Sequence, residues 1–203
     1  KGGITLDALA SCKAIAFDKT GTLTTGELSY VNVEPLQPQS NQSKQETLNK
    51  SALAIAYALK KNAVHPIANA IVKNFATLNL PLISLKDFKA IPGYGLQAIA
   101  EVDGEAKKVV IGRSSYIADM LPADLKDLLL KKSKEFEEEG ELIAVLSIDD
   151  QPYIFRFRDT IRPKIKETIQ AIQKQGWDTI MLTGDHLSSA QRIAKELNID
   201  TFY

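Results

Sequence analysis

The clearest chemical signal is the run of seven residues Asp-Lys-Thr-Gly-Thr-Leu-Thr at positions 18–24. The apolar run that ends at Phe17 predicts a buried strand whose carboxyl end presents Asp18. Ligands of open α/β sheets bind at that end of the strands, and Gly21 permits a tight turn whose amides can face an anion. A carboxylate in this position can attack a phosphoryl group and form an acyl phosphate.

The middle of the chain holds a second set of candidate residues. His65-Pro66 begins a predicted helix, where proline fits the first turn because its missing N–H would be unpaired there anyway. Gly93-Tyr-Gly95 is a predicted turn, and Gly112-Arg113 follows a later apolar run. Taken alone these signals are weak, because His-Pro can simply begin a helix and Gly-x-Gly can simply form a turn.

The elements that must position these residues differ between the ends and the middle of the chain. The ends alternate strands with helices, which indicates a parallel sheet, whereas the middle combines helices with hairpins such as the one around Asp103-Gly104. We therefore predict an α/β fold with a discontinuous, Rossmann-like parallel-sheet domain (residues 1–30 and 157–203) and an inserted α+β antiparallel-sheet domain (residues 31–156). Residues 34–45 are the predicted linker. Predicted helices cover 47–61, 67–78, 114–120, 122–139, 163–175 and 188–197, and predicted strands cover 12–18, 96–102, 107–111, 142–148, 153–157 and 178–182.

Composition narrows the class of protein. The 203 residues include 25 Lys plus Arg and 25 Asp plus Glu, so no global charge favours nucleic acid as a partner. No apolar run reaches the roughly 18 residues that a membrane-spanning helix requires. The single cysteine, Cys12, excludes an internal disulfide and a multi-cysteine zinc site, and its apolar neighbours predict a buried thiol.

Residues 18–24 match the phosphorylation signature of P-type ATPases, which belong to the haloacid dehalogenase-like superfamily. Asp159-Thr-Ile-Arg-Pro163 and Thr183-Gly-Asp185 resemble two later motifs of that family, in the family's order. The His-Pro and Gly-x-Gly elements and Gly112 resemble the nucleotide-site motifs of its heavy-metal-transporting members. The resemblance covers essentially the whole chain, which we expect to comprise a haloacid dehalogenase-type phosphorylation domain and a nucleotide-binding domain.

The resemblance implies a cation pump that ATP phosphorylates on Asp18, with Mg²⁺ held by Asp18 and the Thr20 backbone carbonyl. The residues expected around the transferring phosphoryl group are Lys19, Thr20, Thr183, Gly184 and Asp185. The residues expected to bind ATP, with His65 near the adenine, are His65, Pro66, Gly93, Gly95, Gly112 and Arg113. Asp159 and Arg162 are expected to couple the two domains, and the alternative is a surface ion pair at their spacing. For Lys19 the alternative is an exposed lysine beside an aspartate.

The implied partners are ATP and the transmembrane and actuator domains of the same polypeptide, at the cytoplasmic face of a membrane. The sequence also departs from the family pattern: Ala63-Val64 replaces Ser-Glu before His-Pro, Ala98 replaces a third glycine, and Arg113 and His186 each replace a commoner Asn. We expect nucleotide binding that is weak or differently built. The Gly-Asp-Gly-x-Asn-Asp segment and the lysine before it are absent, so we expect a fragment that lacks part of its own active site.

Two rival functions stay open at this point. A soluble phosphatase or phosphotransferase of the same superfamily usually has a second Asp two residues after the nucleophile, as a general acid or base. Thr20 occupies that position, and its hydroxyl cannot act as such a base at neutral pH. A nucleotide-binding module without chemistry is the other rival. The transported ion is not specified, and zinc, cadmium, copper and cobalt all fit.

Overall fold

A computed structural model describes residues 10–38, 40–60 and 65–203. Within them the chain forms nine strands and six helices, and Lys19–Leu23 forms a turn between the first two strands. The strands are β1 (Ala14–Asp18), β2 (Thr24–Pro35), β3 (Ser84–Ile91), β4 (Gly95–Val102), β5 (Glu105–Gly112), β6 (Leu142–Ile148), β7 (Gln151–Ile161), β8 (Asp178–Leu182) and β9 (Thr201–Phe202). The helices are α1 (Gln42–Lys60), α2 (Pro66–Phe75), α3 (Ser114–Ala118), α4 (Ala123–Glu138), α5 (Ile165–Lys174) and α6 (Leu187–Leu197). None of the described helices is long and apolar enough to cross a membrane.

The chain divides into two compact units. The parallel-sheet unit comprises the described residues up to Glu27 together with Asp159–Tyr203, and the antiparallel-sheet unit comprises Leu28–Arg158. Both boundaries lie within strands, β2 and β7, a few residues from the boundaries predicted at positions 30 and 157. Independent folding of the inserted domain stays a prediction.

The parallel-sheet unit is built on a three-stranded sheet in the order β1-β8-β9, with both strand pairs parallel. Its core lies between one face of the sheet and helices α5 and α6. Strand β1 is not the buried strand that its apolar sequence predicts: Ile15 and Phe17 are half-buried, but Ala14, Ala16 and Asp18 are exposed. The reason is that β1 is an edge strand among the described residues and packs on one face. Cys12, just before β1, is exposed for the same reason, so the predicted buried thiol is wrong.

The antiparallel-sheet unit contains a six-stranded sheet in the order β2-β7-β6-β5-β4-β3. Helices α1 and α2 cover one face and helices α3 and α4 the other, so both faces are buried. Successive residues of a strand point to opposite faces. Val109 and Ile111 therefore pack toward α1, while Val110 packs toward α3, which explains why the central strands read as continuous apolar runs.

The predicted fold class is confirmed, and the differences lie in particular elements. The hairpin around Asp103-Gly104 forms as predicted, with both residues at positive φ, as a two-residue hairpin turn requires. Strand β2 was predicted as loop at both ends because its sequence is polar. Strand β3 was missed because it is an exposed edge strand with a bulge between Lys86 and Lys89, and charged residues are common on such edges. Strand β9 was also missed.

Candidate active site

Asp18 is the last residue of β1 and lies opposite Leu182, the last residue of β8. The two strands are parallel, so Asp18 and the loop that begins at Thr183 share the carboxyl edge of the sheet. The Asp18 side chain is exposed, and no hydrogen bond or ion pair engages its carboxylate within the described residues. The chain thus presents an accessible, unengaged carboxylate at the edge where the sequence predicts the nucleophile.

A tight turn follows Asp18 and changes the direction of the chain. Gly21 takes φ +82°, a left-handed conformation that favours glycine, and Thr20 is extended. The hydroxyl of the fully buried Thr24 closes the turn, since it donates to the Lys19 carbonyl at 3.2 Å and accepts from the Gly21 amide at 3.4 Å. Gly21 and Thr24 are therefore both needed to form this turn.

Lys19 is the centre of a buried polar network. Its side chain is only 1% exposed, so the interpretation as an exposed lysine beside an aspartate is wrong. The ammonium group lies 2.6 Å from Asp159 Oδ2 and 2.5 Å from Asp185 Oδ2, and it donates to Ser189 Oγ at 3.2 Å. A buried charge is tolerated when it is paired and hydrogen-bonded in this way. The Lys19 cation thus connects the turn after β1 to strand β7, helix α6 and the loop after β8.

Asp185 lies between this network and the surface. Its Oδ2 accepts from the Thr20 hydroxyl at 2.9 Å, and its backbone N–H donates to Thr183 Oγ1 at 3.1 Å. The hydrogen bond from Lys19 holds the pKa of the Asp185 carboxyl below its usual value, and partial burial offsets part of that effect. Gly184 is exposed and has open space around it, so its amide is accessible to a ligand.

Asp159 and Arg162 have separate partners inside the parallel-sheet unit. Asp159 pairs with Lys19, and the Arg162 guanidinium donates two hydrogen bonds to the Gly21 carbonyl at 3.2 and 2.6 Å. Among the described contacts the two do not pair with each other, in contrast to the surface ion pair considered as the alternative. Both hold the Asp18 turn in place, and their role in coupling the two domains stays a prediction.

Ser189 was not predicted from the sequence. It is 7% exposed, accepts from Lys19, and donates to Asp159 Oδ2 at 3.1 Å, so its hydroxyl connects two charged partners. The available signal is its spacing: Ser189 lies four residues after Asp185, on the buried face of the helix that follows the Thr-Gly-Asp loop.

The residues around Asp18 fit a magnesium ion in their donor chemistry. Mg²⁺ prefers oxygen ligands and is commonly held by one or two carboxylates together with substrate phosphates and water. Asp159 and Asp185 outnumber the Lys19 ammonium they share, and Asp18 presents a further carboxylate at the carboxyl edge of the same sheet. Among the described residues, no group of three or more His, Cys, Asp or Glu side chains is placed to hold a metal ion by itself.

The second candidate site lies in the antiparallel-sheet unit, at the start of α2. His65 is the N-cap of this helix, its Nδ1 accepts from the Ile67 amide at 3.3 Å, and Pro66 takes the first helical turn as predicted. Burial lowers the pKa of His65, and the positive charges of Lys60 and Arg113 lower it further. These effects favour the neutral form of the imidazole, and the hydrogen bond from the Ile67 amide orients the ring. Ala63-Val64 lies outside the described residues.

The glycines of this site serve the packing of strands β4 and β5. Gly95 pairs with Gly112, and a Cβ on Gly95 would lie 2.1 Å from the Ile111 carbonyl oxygen, while one on Gly112 would lie 2.4 Å from that of Tyr94. Protein backbone is therefore sufficient to explain why both positions are glycine, and their part in binding ATP stays a prediction. Gly93 forms the turn before β4 with φ +80°.

Two aromatic rings flank these glycines. Tyr94 and Tyr116 lie with their ring centroids 5.0 Å apart, and Tyr94 is 56% exposed. Arg113 is exposed at the start of α3 and donates its amide to the Tyr94 carbonyl at 3.3 Å. Ala98, where the family has a third glycine, packs in the core beneath α1. His186 is exposed at the N-cap of α6 and makes no side-chain capping bond.

Comparison with known proteins identifies the family of the chain. The family model of haloacid dehalogenase-like hydrolases matches residues 12–203. The chain is 33% identical to the probable cadmium/zinc-transporting ATPase HMA1, chloroplastic, of Arabidopsis thaliana and 32% identical to the zinc-transporting ATPase of Bacillus subtilis. The alignments cover 100% and 99% of this chain but only 27% and 29% of those proteins.

Solved structures agree with this result. A zinc-transporting PIB-type ATPase in its E2.Pi state superposes over 100% of this chain and 30% of its own, with a TM-score of 0.78 and 29% identity. The catalytic domain of the CPx-ATPase CopB-B shares the fold, with a TM-score of 0.63 at 23% identity. The chain therefore belongs to the haloacid dehalogenase-like hydrolase family, and its curated relatives are heavy-metal-transporting P-type ATPases.

Proposed function

We propose that this chain is the ATP-binding and autophosphorylating part of a heavy-metal-transporting P-type ATPase, at the cytoplasmic face of a membrane. The observation that carries the proposal is the exposed, unengaged Asp18 carboxylate beside the fully paired and buried Lys19. The names of its relatives support the same role. The transmembrane and actuator domains of the same polypeptide would couple the chemistry to ion movement.

In the proposed reaction an oxygen of the Asp18 carboxylate attacks the γ-phosphorus of ATP. A new oxygen–phosphorus bond forms as the bond to the β-phosphate oxygen breaks, and ADP leaves with that electron pair. The product is an aspartyl phosphate, which water later hydrolyses to phosphate and the free carboxylate. No proton has to be removed from the nucleophile.

The surrounding residues would stabilise the transferring group without rearranging. The Thr183 hydroxyl and the Gly184 amide can donate to phosphoryl oxygens, and Lys19 supplies positive charge behind the Asp18 turn. Arg162 fixes that turn through the Gly21 carbonyl. Mg²⁺, held by Asp18 and the Thr20 backbone carbonyl, would neutralise charge on the phosphates.

Thr20 favours a pump over a soluble phosphatase. Its hydroxyl donates to Asp185 at 2.9 Å, and it cannot accept a proton from an attacking water at neutral pH. The aspartyl phosphate should therefore persist long enough for a conformational change, whereas a phosphatase would hydrolyse it at once.

The ATP site is proposed to lie in the antiparallel-sheet unit. Its residues would be His65, Pro66, Gly93, Gly95, Gly112 and Arg113. The neutral imidazole of His65 suits contact with a base, and Arg113 and Lys60 give the region a positive potential that suits a polyphosphate.

The central test is the transfer of label from γ-labelled ATP to protein in the full-length pump. Asp18→Asn should abolish acid-stable, hydroxylamine-labile label, because an amide cannot serve as the attacking carboxylate. Asp178→Asn is the matched control: Asp178 is exposed at the opposite end of the same sheet, and its loss should leave the label intact. Undiminished label in the Asp18→Asn protein would overturn the assignment.

A further inference from the structure

Lys60, the last residue of α1, is a buried cation that the proposed chemistry does not use. The residue is only 8% exposed, yet no carboxylate and no hydrogen bond engages its ammonium group within the described residues. Burial alone lowers its pKa, with no opposing contribution from an acid. A lysine buried without a partner is costly, so its presence needs a reason.

The position of Lys60 at the end of α1 explains only part of this burial. A lysine in the last turn of a helix interacts favourably with the helix dipole. Exposed side chains obtain that benefit without burial.

Positive charges act on His65, which caps α2 five residues after Lys60. Among the described residues these charges are Lys60 and Arg113, and both lower the pKa of His65. Arg113 in turn is tied to Tyr94, whose exposed ring stands 5.0 Å from Tyr116. Two cations and an imidazole thus lie in one region, and the exposed ring of Tyr94 is linked to it through the backbone of Arg113. Among the described residues no carboxylate acts on the imidazole. Such a surface suits a ligand with a flat ring and acceptor oxygens or nitrogens.

We propose that Lys60 is a ligand-binding residue of the nucleotide site, where its ammonium group donates to an acceptor atom of the bound nucleotide. The proposal rests on the function proposed above, because it assumes that the His65 region binds a nucleotide. The acceptor belongs either to the phosphate chain or to the base and ribose, and both supply the electron-rich atom that the buried ammonium lacks. Bound nucleotide would then compensate a charge that the protein itself leaves uncompensated.

Calorimetric titration of this chain with ATP tests the idea. Lys60→Met removes the ammonium but keeps an unbranched apolar stem, and it should weaken binding on the order of tenfold, the usual effect of losing a charge-assisted hydrogen bond. Lys60→Arg, which keeps a donor, should retain most of the affinity. Lys50→Met is the matched control, an exposed lysine ten residues earlier on the same helix, and should bind as the unmodified chain does.

Parallel titrations with adenosine and with inorganic tripolyphosphate locate the acceptor. If Lys60→Met weakens only ATP and tripolyphosphate binding, the acceptor is a phosphate oxygen; if it weakens ATP and adenosine binding alike, the acceptor lies on the base or ribose. Should Lys60→Met fail to fold, the Lys60 side-chain NMR signals of the unmodified chain, assigned with Lys60→Arg, should shift as ATP is added.

The outcomes separate this inference from the proposed function. If Lys60→Met binds ATP as tightly as the unmodified chain while His65→Ala weakens binding about fivefold, Lys60 is a structural residue and the nucleotide site stands. Unmoved Lys60 signals at saturating ATP have the same meaning. If the unmodified chain binds no ATP at all, the proposed nucleotide site itself is wrong.

Discussion

Lys19 and Lys60 are both buried lysines, one in each unit, but only Lys19 has acidic partners among the described residues. Lys19 is 1% exposed and has two carboxylates and a serine hydroxyl within 3.2 Å. Lys60 is 8% exposed, and no acid engages it within the described residues. The first charge is compensated before any ligand arrives, whereas the second is left for a ligand to compensate.

This difference follows from what each site is proposed to do. A site for phosphoryl transfer gains from groups that are already fixed where charge develops, because reorganisation during the reaction costs free energy. A binding site gains from groups whose best partner is the ligand, since the compensation is then realised on binding. In the parallel-sheet unit Lys19 is already paired in this way, whereas in the antiparallel-sheet unit the proposed partner of Lys60 is the ligand.

The largest expected effect is on stability when Lys19 is replaced. Lys19→Met leaves Asp159 and Asp185 without their shared cation, and breaking a buried pair costs about 3–5 kcal/mol. Urea unfolding should show this loss through the fluorescence of Trp177, the single tryptophan, which lies in the same unit. Lys60→Met, followed by circular dichroism, should cost little, because no acid among the described residues pairs with Lys60. Equal losses for the two substitutions would contradict the comparison.

A smaller loss of stability is expected when a side chain is added between the paired strands β4 and β5. Gly95→Ala places a methyl group 2.1 Å from the Ile111 carbonyl oxygen, so the strands must separate, at a cost of about 1–3 kcal/mol. Gly184→Ala is the matched control in the other unit, since its Cβ meets no atom within 4 Å. Thermal unfolding of both variants measures the difference. A Gly95→Ala chain as stable as the control would show that these strands have room to move.

The sequence predicts the position of Asp18 at the end of its strand correctly, because that position depends on local pattern. Two apolar runs that each end in a polar loop place Asp18 and Thr183 at the carboxyl ends of two strands, and the structure pairs those strands in parallel. The turn chemistry of Asp103-Gly104 likewise fixes its hairpin without help from distant residues.

Features that depend on distant partners could not be predicted in this way. Lys19 follows an aspartate, which suggests an exposed position, but its partner Asp159 lies 140 positions away. The reason for Gly95 is its pairing with Gly112, and the register of two strands is not visible in either one. The burial of Ser189 and of Lys60 depends in the same way on packing between elements.

Replacing Ser189 tests the network around Lys19, and the expected loss in the free energy of unfolding is about 1 kcal/mol. Ser189→Ala removes a hydroxyl that connects Lys19 to Asp159, and the loss of such a hydrogen bond costs about 1 kcal/mol. Ser188→Ala, the neighbouring and less buried serine, should be close to neutral. Urea unfolding followed by Trp177 fluorescence measures both. If the two variants lose equal stability, the Ser189 hydroxyl does not help to hold Lys19.

The smallest expected effect is the contribution of Asp185 to the pH dependence of stability. The Lys19 ammonium holds the pKa of Asp185 below its usual value, so the folded chain binds this proton less readily than the unfolded chain does. The stabilisation from Asp185 is therefore fully present above the unfolded carboxyl pKa of about 3.9, and it is lost as pH falls through the lower, folded value. The effect is modest because the Asp185 side chain is 46% exposed.

Melting temperatures of the unmodified chain and of Asp185→Asn should differ by a constant amount near neutral pH and converge in acid. Asp119→Asn is the control in the antiparallel-sheet unit: Asp119 pairs with Lys126 at 2.7 Å but is 70% exposed, so its removal should change the profile even less. A gap between the unmodified chain and Asp185→Asn that stays constant into acid would mean that Lys19 is neutralised by Asp159 alone.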